Sequence, residues 1–344
     1  LEGAGRLGRG AFRPAGAGRE WVDNEVLRRL RRRSLAVLRS EVEAVPASTL
    51  AAFGVRWHGI GGEARGRDAL AEALRRLQGA ALPASVLESE VLPARLAYEP
   101  ALLDGLLASG EAVWIGRGPL GTRDGRVGLY LRDQVPLLAW PLELDRPDGP
   151  DHEAIRQTLS DRGASFFADL YAAVGGGDPD DTLRAIWDLV WAGEVTNDTL
   201  APLRAHLGGT RRSTRGRRLP LPSAAAPPAG SGRWYLVDDL RREVPPTTAA
   251  AARAEQLLER QGVVVRDAVL AEAVPGGFAG LYPVFAALEG AGRVRRGYFV
   301  EGLGGSQFAL SGAIDRLRSP VAGAAPVILA AADPPNPYGC LLYT

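Results

Sequence analysis

Clusters of arginine, set beside one tyrosine, are the residues here whose type and spacing could do chemistry. Val284–Leu310 reads VFAALEGAGRVRRGYFVEGLGGSQFAL: an apolar helical pattern, then Gly290 and Gly292, then a β-prone stretch with Arg293, Arg295, Arg296 and Tyr298. A guanidinium binds phosphate bidentately and a tyrosine ring stacks on a base. These residue types suit a nucleic-acid strand, and a solvated hairpin would use them too. A second cluster, Arg211, Arg212, Arg215, Arg217 and Arg218, lies in the Pro/Ser/Ala-rich stretch Gly208–Arg233. It reads as a flexible basic tether. In a third, Asn24–Ser40, the apolar stripe Val26, Leu27, Leu30, Leu35 and Leu38 falls at helical spacing. Arg28, Arg29, Arg31, Arg32, Arg33 and Arg39 cover the rest of that helix. The residues expected to touch DNA are therefore Arg293, Arg295, Arg296, Tyr298, Arg211, Arg212, Arg28 and Arg32.

Other motifs carry less. GRGPLG at Gly116–Gly121 fits the glycine pattern of a dinucleotide site, but a turn and a strand follow it instead of the required helix. It reads as the turn of a hairpin. The chain has no lysine, so all 41 basic residues are arginine and no phosphate loop with its lysine is possible. HEAIR at His152–Arg156 opens like a metalloprotease helix but has Arg156 where the second His belongs. GSG at Gly230–Gly232 lies in the low-complexity stretch and is no nucleophile elbow. The acids Asp178, Asp180 and Asp181 precede a helix pattern and read as its N-terminal cap. Phe166, Phe167, Trp187 and Trp191 fall at helical spacing and read as core. No residue is offered as catalytic and none as a metal ligand.

The elements that must hold these residues repeat. Leu102–Gly118, Leu183–Asp198 and Val284–Phe299 each show apolar residues at helical spacing, then Gly, a charged residue and a β-prone start. Gly after the last apolar turn is what a helix C-terminus needs. Two further helix patterns precede each phrase: Arg67–Gly79 and Pro83–Pro93, Asp151–Gly163 and Ala164–Val174, Ala250–Gly262 and Arg266–Ala273. A hairpin follows, most clearly Ala112–Ile115 with Arg126–Leu131 and Arg293–Val300 with Gln307–Leu310. Three helices and a hairpin make a winged helix, whose third helix can enter a DNA groove while the wing touches the backbone. The expected fold class is mainly α with small β wings (α+β): tandem winged-helix modules, then the start of a truncated β-barrel. The expected divisions are a basic helical segment at 1–60, winged helices at 61–143, 150–207 and 234–320, a linker at 208–233, and the barrel start at 326–344.

Composition sets the bounds. The 344 residues are 46% hydrophobic and 24% charged, an ordinary globular balance. The net charge of +1 confines nucleic-acid affinity to local patches. Cys340 is the one cysteine, which leaves no disulfide framework or Cys-based zinc site and fits a reducing cytosol. No apolar run reaches the ~18 residues of a membrane span, so no membrane partner is expected. With no methionine and no signal peptide, the chain reads as an internal part of a longer protein.

Five phrases resemble one family. VLRRLRRRSLAVLRSEVEAVP, LQGAALPASVLESEVLPARL, IWDLVWAGEVTNDTLAPLRA, AEQLLERQGVVVRDAVLAE and VPGGFAGLYPVFAALEGAGRVRRGYFVEGLGGSQFA are similar to the C-terminal half of the Lhr (large helicase-related) proteins. The resemblance runs from about Arg19 to about Gly339. It implies the parent is a superfamily 2 ATP-dependent 3′-to-5′ DNA helicase that uses ATP and Mg. It implies winged helices followed by a β-barrel, a homo-oligomer and possibly a tetramer, and a uracil-DNA glycosylase activity attributed to this region in some members. The expected partner is DNA, single-stranded or as a tailed duplex, and the expected place is the cytoplasm, with the nucleoid. The motor motifs are absent, and no catalytic residue carries over. Two rivals to a DNA-binding annex stand: a glycosylase scaffold, which would need a pocket acid, and a purely structural tetramerisation module. A broad apolar face on the third helices would favour the last, and a continuous Arg stripe would favour DNA.

Overall fold

Three modules of one topology follow an N-terminal segment. The computed structural model describes residues 6–10, 12, 19–40, 44–141, 145–208, 227–319 and 326–336. The chain opens with the hairpin β1 (Leu7–Gly10) and β2 (Glu20–Asp23), then α1 (Asn24–Ser40) and α2 (Ala47–Trp57). The first module is α3 (Gly66–Leu77), β3 (Leu82–Pro83), α4 (Ala84–Val86, continued by a π-helical turn, Leu87–Val91), α5 (Pro100–Ala108), β4 (Ala112–Leu120) and β5 (Asp124–Leu131). The short helix α6 (Val135–Leu138) ends it. The second module is α7 (Pro150–Arg162), β6 (Ser165–Phe166), α8 (Phe167–Ala173), α9 (Pro179–Trp191), β7 (Val195–Asn197), α10 (Ala201–Gly208) and β8 (Arg233–Leu236). The third is α11 (Pro246–Gln261), β9 (Val263–Val264), α12 (Arg266–Ala271), α13 (Gly277–Gly290), β10 (Val294–Gly297), β11 (Gln307–Leu310) and α14 (Ser311–Arg318). Each sheet has its last strand between the first two: β3-β5-β4, β6-β8-β7 and β9-β11-β10.

Local chemistry explains the repeat. Proline opens α5, α7, α9 and α11, where its fixed φ fits and its missing N–H is not needed. Asp178 caps α9 as expected, accepting from the Asp180 N–H at 3.0 Å. After each third helix a glycine leaves the helix at the same left-handed angle: Gly110, Gly193 and Gly292 all have φ of 75°. A side chain is strained there, which is why the three phrases share that letter. The GRGPLG segment lies in β4 and its turn into β5, the hairpin reading.

The structure redraws the expected boundaries. β8 pairs with β7 through Val195↔Leu236 and with β6 through Ser165↔Trp234. Trp234, fully buried, belongs to the second core. Arg233–Leu236 therefore belongs to the sheet of the second module, and most of the expected linker 208–233 lies outside the described residues. The third module starts with α11. The segment 1–60 is also not one unit, because Leu50, Phe53 and Trp57 of α2 are buried with Val263, Phe299 and Ile314 of the third module. Residues 326–336 form no strand. Val327 and Ile328 are exposed, while Asp333 is buried. Pro334 and Pro335 supply no backbone donor for a ladder. No closed barrel exists among the described residues.

The modules are joined by buried contacts. The first and second share a core in which Trp114 of β4 stacks on Trp187 of α9 at 6.4 Å. Trp114 Nε1 donates to the Thr199 carbonyl at 3.1 Å. Arg204 of α10 reaches back to Glu88 at 2.7 Å and Asp104 at 2.7 Å. Third and first modules meet where Arg260 of α11 donates to the Arg76 carbonyl at 3.2 Å, and α2 is tied to the third where Trp57 Nε1 donates to the Glu259 carbonyl at 2.8 Å.

Candidate nucleic-acid interface

Strand alternation sorts the wing arginines. In β10, Val294 is buried, and Arg296 shares its face. Arg296 donates to the Tyr282 hydroxyl, lies 3.4 Å from Glu289 and stacks over the Tyr282 ring at 6.0 Å. Its guanidinium binds β10 to α13. Arg293 pairs with Glu255 of α11 at 2.7 Å. Arg295 points to the other face, half-buried, with no ion pair among the described residues. The Tyr298 hydroxyl accepts from the Gly302 N–H at 2.8 Å, and its ring stays 47% exposed. Of the four wing residues, Arg295 and the Tyr298 ring are available to a strand of DNA.

Helix α1 lies beside β10, the edge strand of the third sheet. Covering an edge with a helix is a common protection against strand addition. It also brings the first arginine set next to the wing. Arg28, Arg31, Arg32 and Arg33 are exposed, and none has an ion pair among the described residues. Arg32 Nε makes one long contact to its own helix, to the Arg28 carbonyl at 3.4 Å. Arg29 is engaged by Glu25 at 2.6 Å. The apolar stripe is not buried as its pattern suggests: Val26 and Leu30 are exposed and Leu27 half-buried. The side chains of Leu35 and Leu38, and Arg211 and Arg212 altogether, lie outside the described residues.

The third helices offer phosphates nothing. α5 and α13 contain no basic residue. α9 has Arg184, held by Asp181 at 2.8 Å, with Asp188 also exposed. α5 is further occupied by the segment between β7 and α10 of the second module, since Asp104 accepts from the Leu200 N–H at 3.0 Å. Phe167, Trp187 and Trp191 are core, as their spacing suggests, while Phe166 is 57% exposed on β6.

Other chemistry is sparse. Among the described residues no group of three or more His, Cys, Asp and Glu side chains could hold a metal. No helix among them is long and apolar enough to cross a membrane. Burial, followed by the charge of Arg95, holds His58 well below the usual imidazole range. Its neutral ring accepts from Arg95 Nη2 at 3.2 Å through Nδ1. Sequence reasoning missed this site because His58, Arg95 and Asp333 come from three distant segments.

Comparison with known proteins gives the family. Two family models, each described as large helicase-related protein, winged-helix domain, match residues 45–132 and 243–326, together half of the chain. The Lhr helicase/probable uracil glycosylase of Mycolicibacterium smegmatis (strain ATCC 700084 / mc(2)155) is 45% identical over 98% of this chain and 24% of its own length. The Lhr helicase/uracil glycosylase of Escherichia coli (strain K12) is 37% identical over 94% of this chain and 24% of its own. The chain thus spans about a quarter of the length of these curated relatives. With two winged-helix models of one family and near-complete coverage by two of its members, the chain belongs to the large helicase-related (Lhr) family and carries its winged-helix region.

Proposed function

We propose that this chain is the DNA-binding and oligomerising C-terminal annex of an Lhr-type ATP-dependent 3′-to-5′ helicase of DNA repair, working in the cytoplasm on nucleoid DNA. The observation that carries the reading is one surface. Arg28, Arg31, Arg32 and Arg33, exposed and without an ion pair among the described residues, lie on the helix α1 beside the strand that carries Arg295. DNA, single-stranded or as a tailed duplex, is held by its backbone on this face, and the third helices stay out of the groove. ATP and Mg belong to a motor outside these 344 residues; a chain with no lysine has no phosphate-loop lysine to hold a nucleotide. A β-barrel beyond the tail, and the uracil glycosylase named in both relatives, belong to the same proposal at the level of the parent.

A second reading, self-assembly, draws on α13. Its exposed residues include Ala279, Pro283 and Ala287, small and uncharged. Such a face suits protein contact better than phosphate. Both readings hold if the oligomer forms through α13 and DNA runs along α1.

The test is a binding titration with duplex and single-stranded DNA across a salt series. The chain should bind with a steep negative salt slope. Replacing Arg28, Arg32 and Arg295 together by Ala should weaken binding at least tenfold at low salt and flatten the slope by about 2–3, from about 0.9 for each duplex phosphate no longer neutralised. An unchanged slope in the triple variant would refute this placement. No binding by the folded chain at low salt would refute the DNA reading.

A further inference from the structure

Between α12 and the start of α13 lies an open groove. Its volume is about 580 Å³, within the roughly 300–1,000 Å³ of small-molecule sites. Leu270 of α12, and Phe278 and Tyr282 of α13, line it. Gly277 and the wing glycine Gly305 form part of its rim. Arg266 is the one charged residue in the lining and makes no ion pair among the described residues. Leu270 is 55% exposed. A second groove, about 370 Å³ between α6 and α11, is different: Glu255 and Glu259 line it, and its Arg293 is already paired with Glu255. That one repels a polyanion.

We propose that the groove beside α13 holds one unstacked nucleobase of single-stranded DNA; this rests on the DNA-binding reading above. Two observations favour a base as its occupant. Aromatic edge and face lie together, with Phe278 and Tyr282 rings 6.1 Å apart at 61°, and an apolar leucine lies among the lining. Base–aromatic stacking is sequence-tolerant because every base has a π-face. The charge is complementary, because Arg266 stands among the lining and no carboxylate does. Arg296 of β10 donates to the hydroxyl of Tyr282 and so fixes that ring in the lining, on the side of β10 away from Arg295. A paired base stays stacked in its duplex and cannot enter, so the groove selects single strands.

The probe is a thymidine oligonucleotide with a single 2-aminopurine, whose fluorescence falls on stacking, beside a duplex of equal length. The 344-residue chain should change the fluorescence of the single strand. Leu270→Glu, an exposed position, should abolish that change and weaken single-strand binding about tenfold, the size of one base–aromatic contact. Duplex binding and the melting temperature should stay as they were. Arg266→Ala should weaken single-strand binding more than duplex binding. A fluorescence signal untouched by Leu270→Glu overturns the proposal, as does equal weakening of single strand and duplex. If Leu270→Glu instead changes the mass in light scattering while leaving single-strand affinity intact, the groove is a protein contact and the proposal falls. DNA binding with no 2-aminopurine response rejects the groove alone; no DNA binding at all rejects the annex as well.

Discussion

Gly116→Ala is expected to destabilise the chain by about 3 kcal/mol, at the upper end of the cost of overpacking a core. Gly116 sits in β4, opposite Val127, where the first module meets the second. A Cβ there would lie 1.9 Å from the Val190 carbonyl oxygen, 2.7 Å from its carbon and 3.2 Å from the Cα of Trp191. All three are backbone atoms near the end of α9, so no side-chain rotation relieves the clash. Either β4 bends or α9 lifts. Lifting α9 opens the stack of Trp187 on Trp114 and the Thr196 hydroxyl bond to the Trp114 carbonyl. Because interiors are close-packed, a shift at this joint spreads through the shared core. Chemical denaturation measures the loss. Gly105→Ala on α5 is the control: a Cβ there meets nothing within 4 Å, and alanine favours the helix, so stability should hold or rise slightly.

The second large effect is expected at the Arg95–Asp333 pair. Both side chains are nearly sealed from solvent, 2% and 1% exposed. Arg95 Nη1 donates to Asp333 Oδ2 at 2.9 Å and to the Val91 carbonyl at 2.6 Å. Nη2 donates to the other carboxylate oxygen and to the neutral His58 ring. Asp333→Ala strands a buried guanidinium and should cost about 3–5 kcal/mol. The segment 326–336 should then become sensitive to protease. Arg95→Met with Asp333→Leu should cost less than Asp333→Ala alone, because it removes both charges from the interior. Denaturant unfolding of single and double variants checks this. A single-variant loss below about 1 kcal/mol would mean the pair is not sealed as described.

Much of the architecture was legible in local signals. Pro at helix starts and Gly110, Gly193 and Gly292 at helix ends are backbone requirements, so each repeated phrase marked a third helix and its first wing strand. The opening strands β3, β6 and β9 were not legible, because two residues carry no period. Nor was the partner of β8: only long-range pairing assigns Arg233–Leu236 to the second sheet. The letters PVILAA suggested the first strand of a barrel, but residues 326–336 form no strand and Asp333 is buried against Arg95. At the interface, the clusters themselves were visible. Which arginines were already engaged was not, since Glu255, Tyr282 and Glu289 reach them only through the tertiary fold. Alternation along β10 did hold that information in part, by placing Arg296 on the face of the buried Val294.

The central claim is that the DNA backbone runs along α1 and β10 and not over the exposed Ala287 face of α13. Photo-crosslinking tests it most directly, with a photoreactive residue replacing Arg31 on α1 in one protein and Ala287 on the exposed face of α13 in another. Each would be irradiated with labelled single-stranded and tailed duplex DNA. The account predicts covalent protein–DNA product from position 31 and none above background from position 287. Crosslinking from position 287 with none from position 31 would contradict it and return the third helix to the DNA groove.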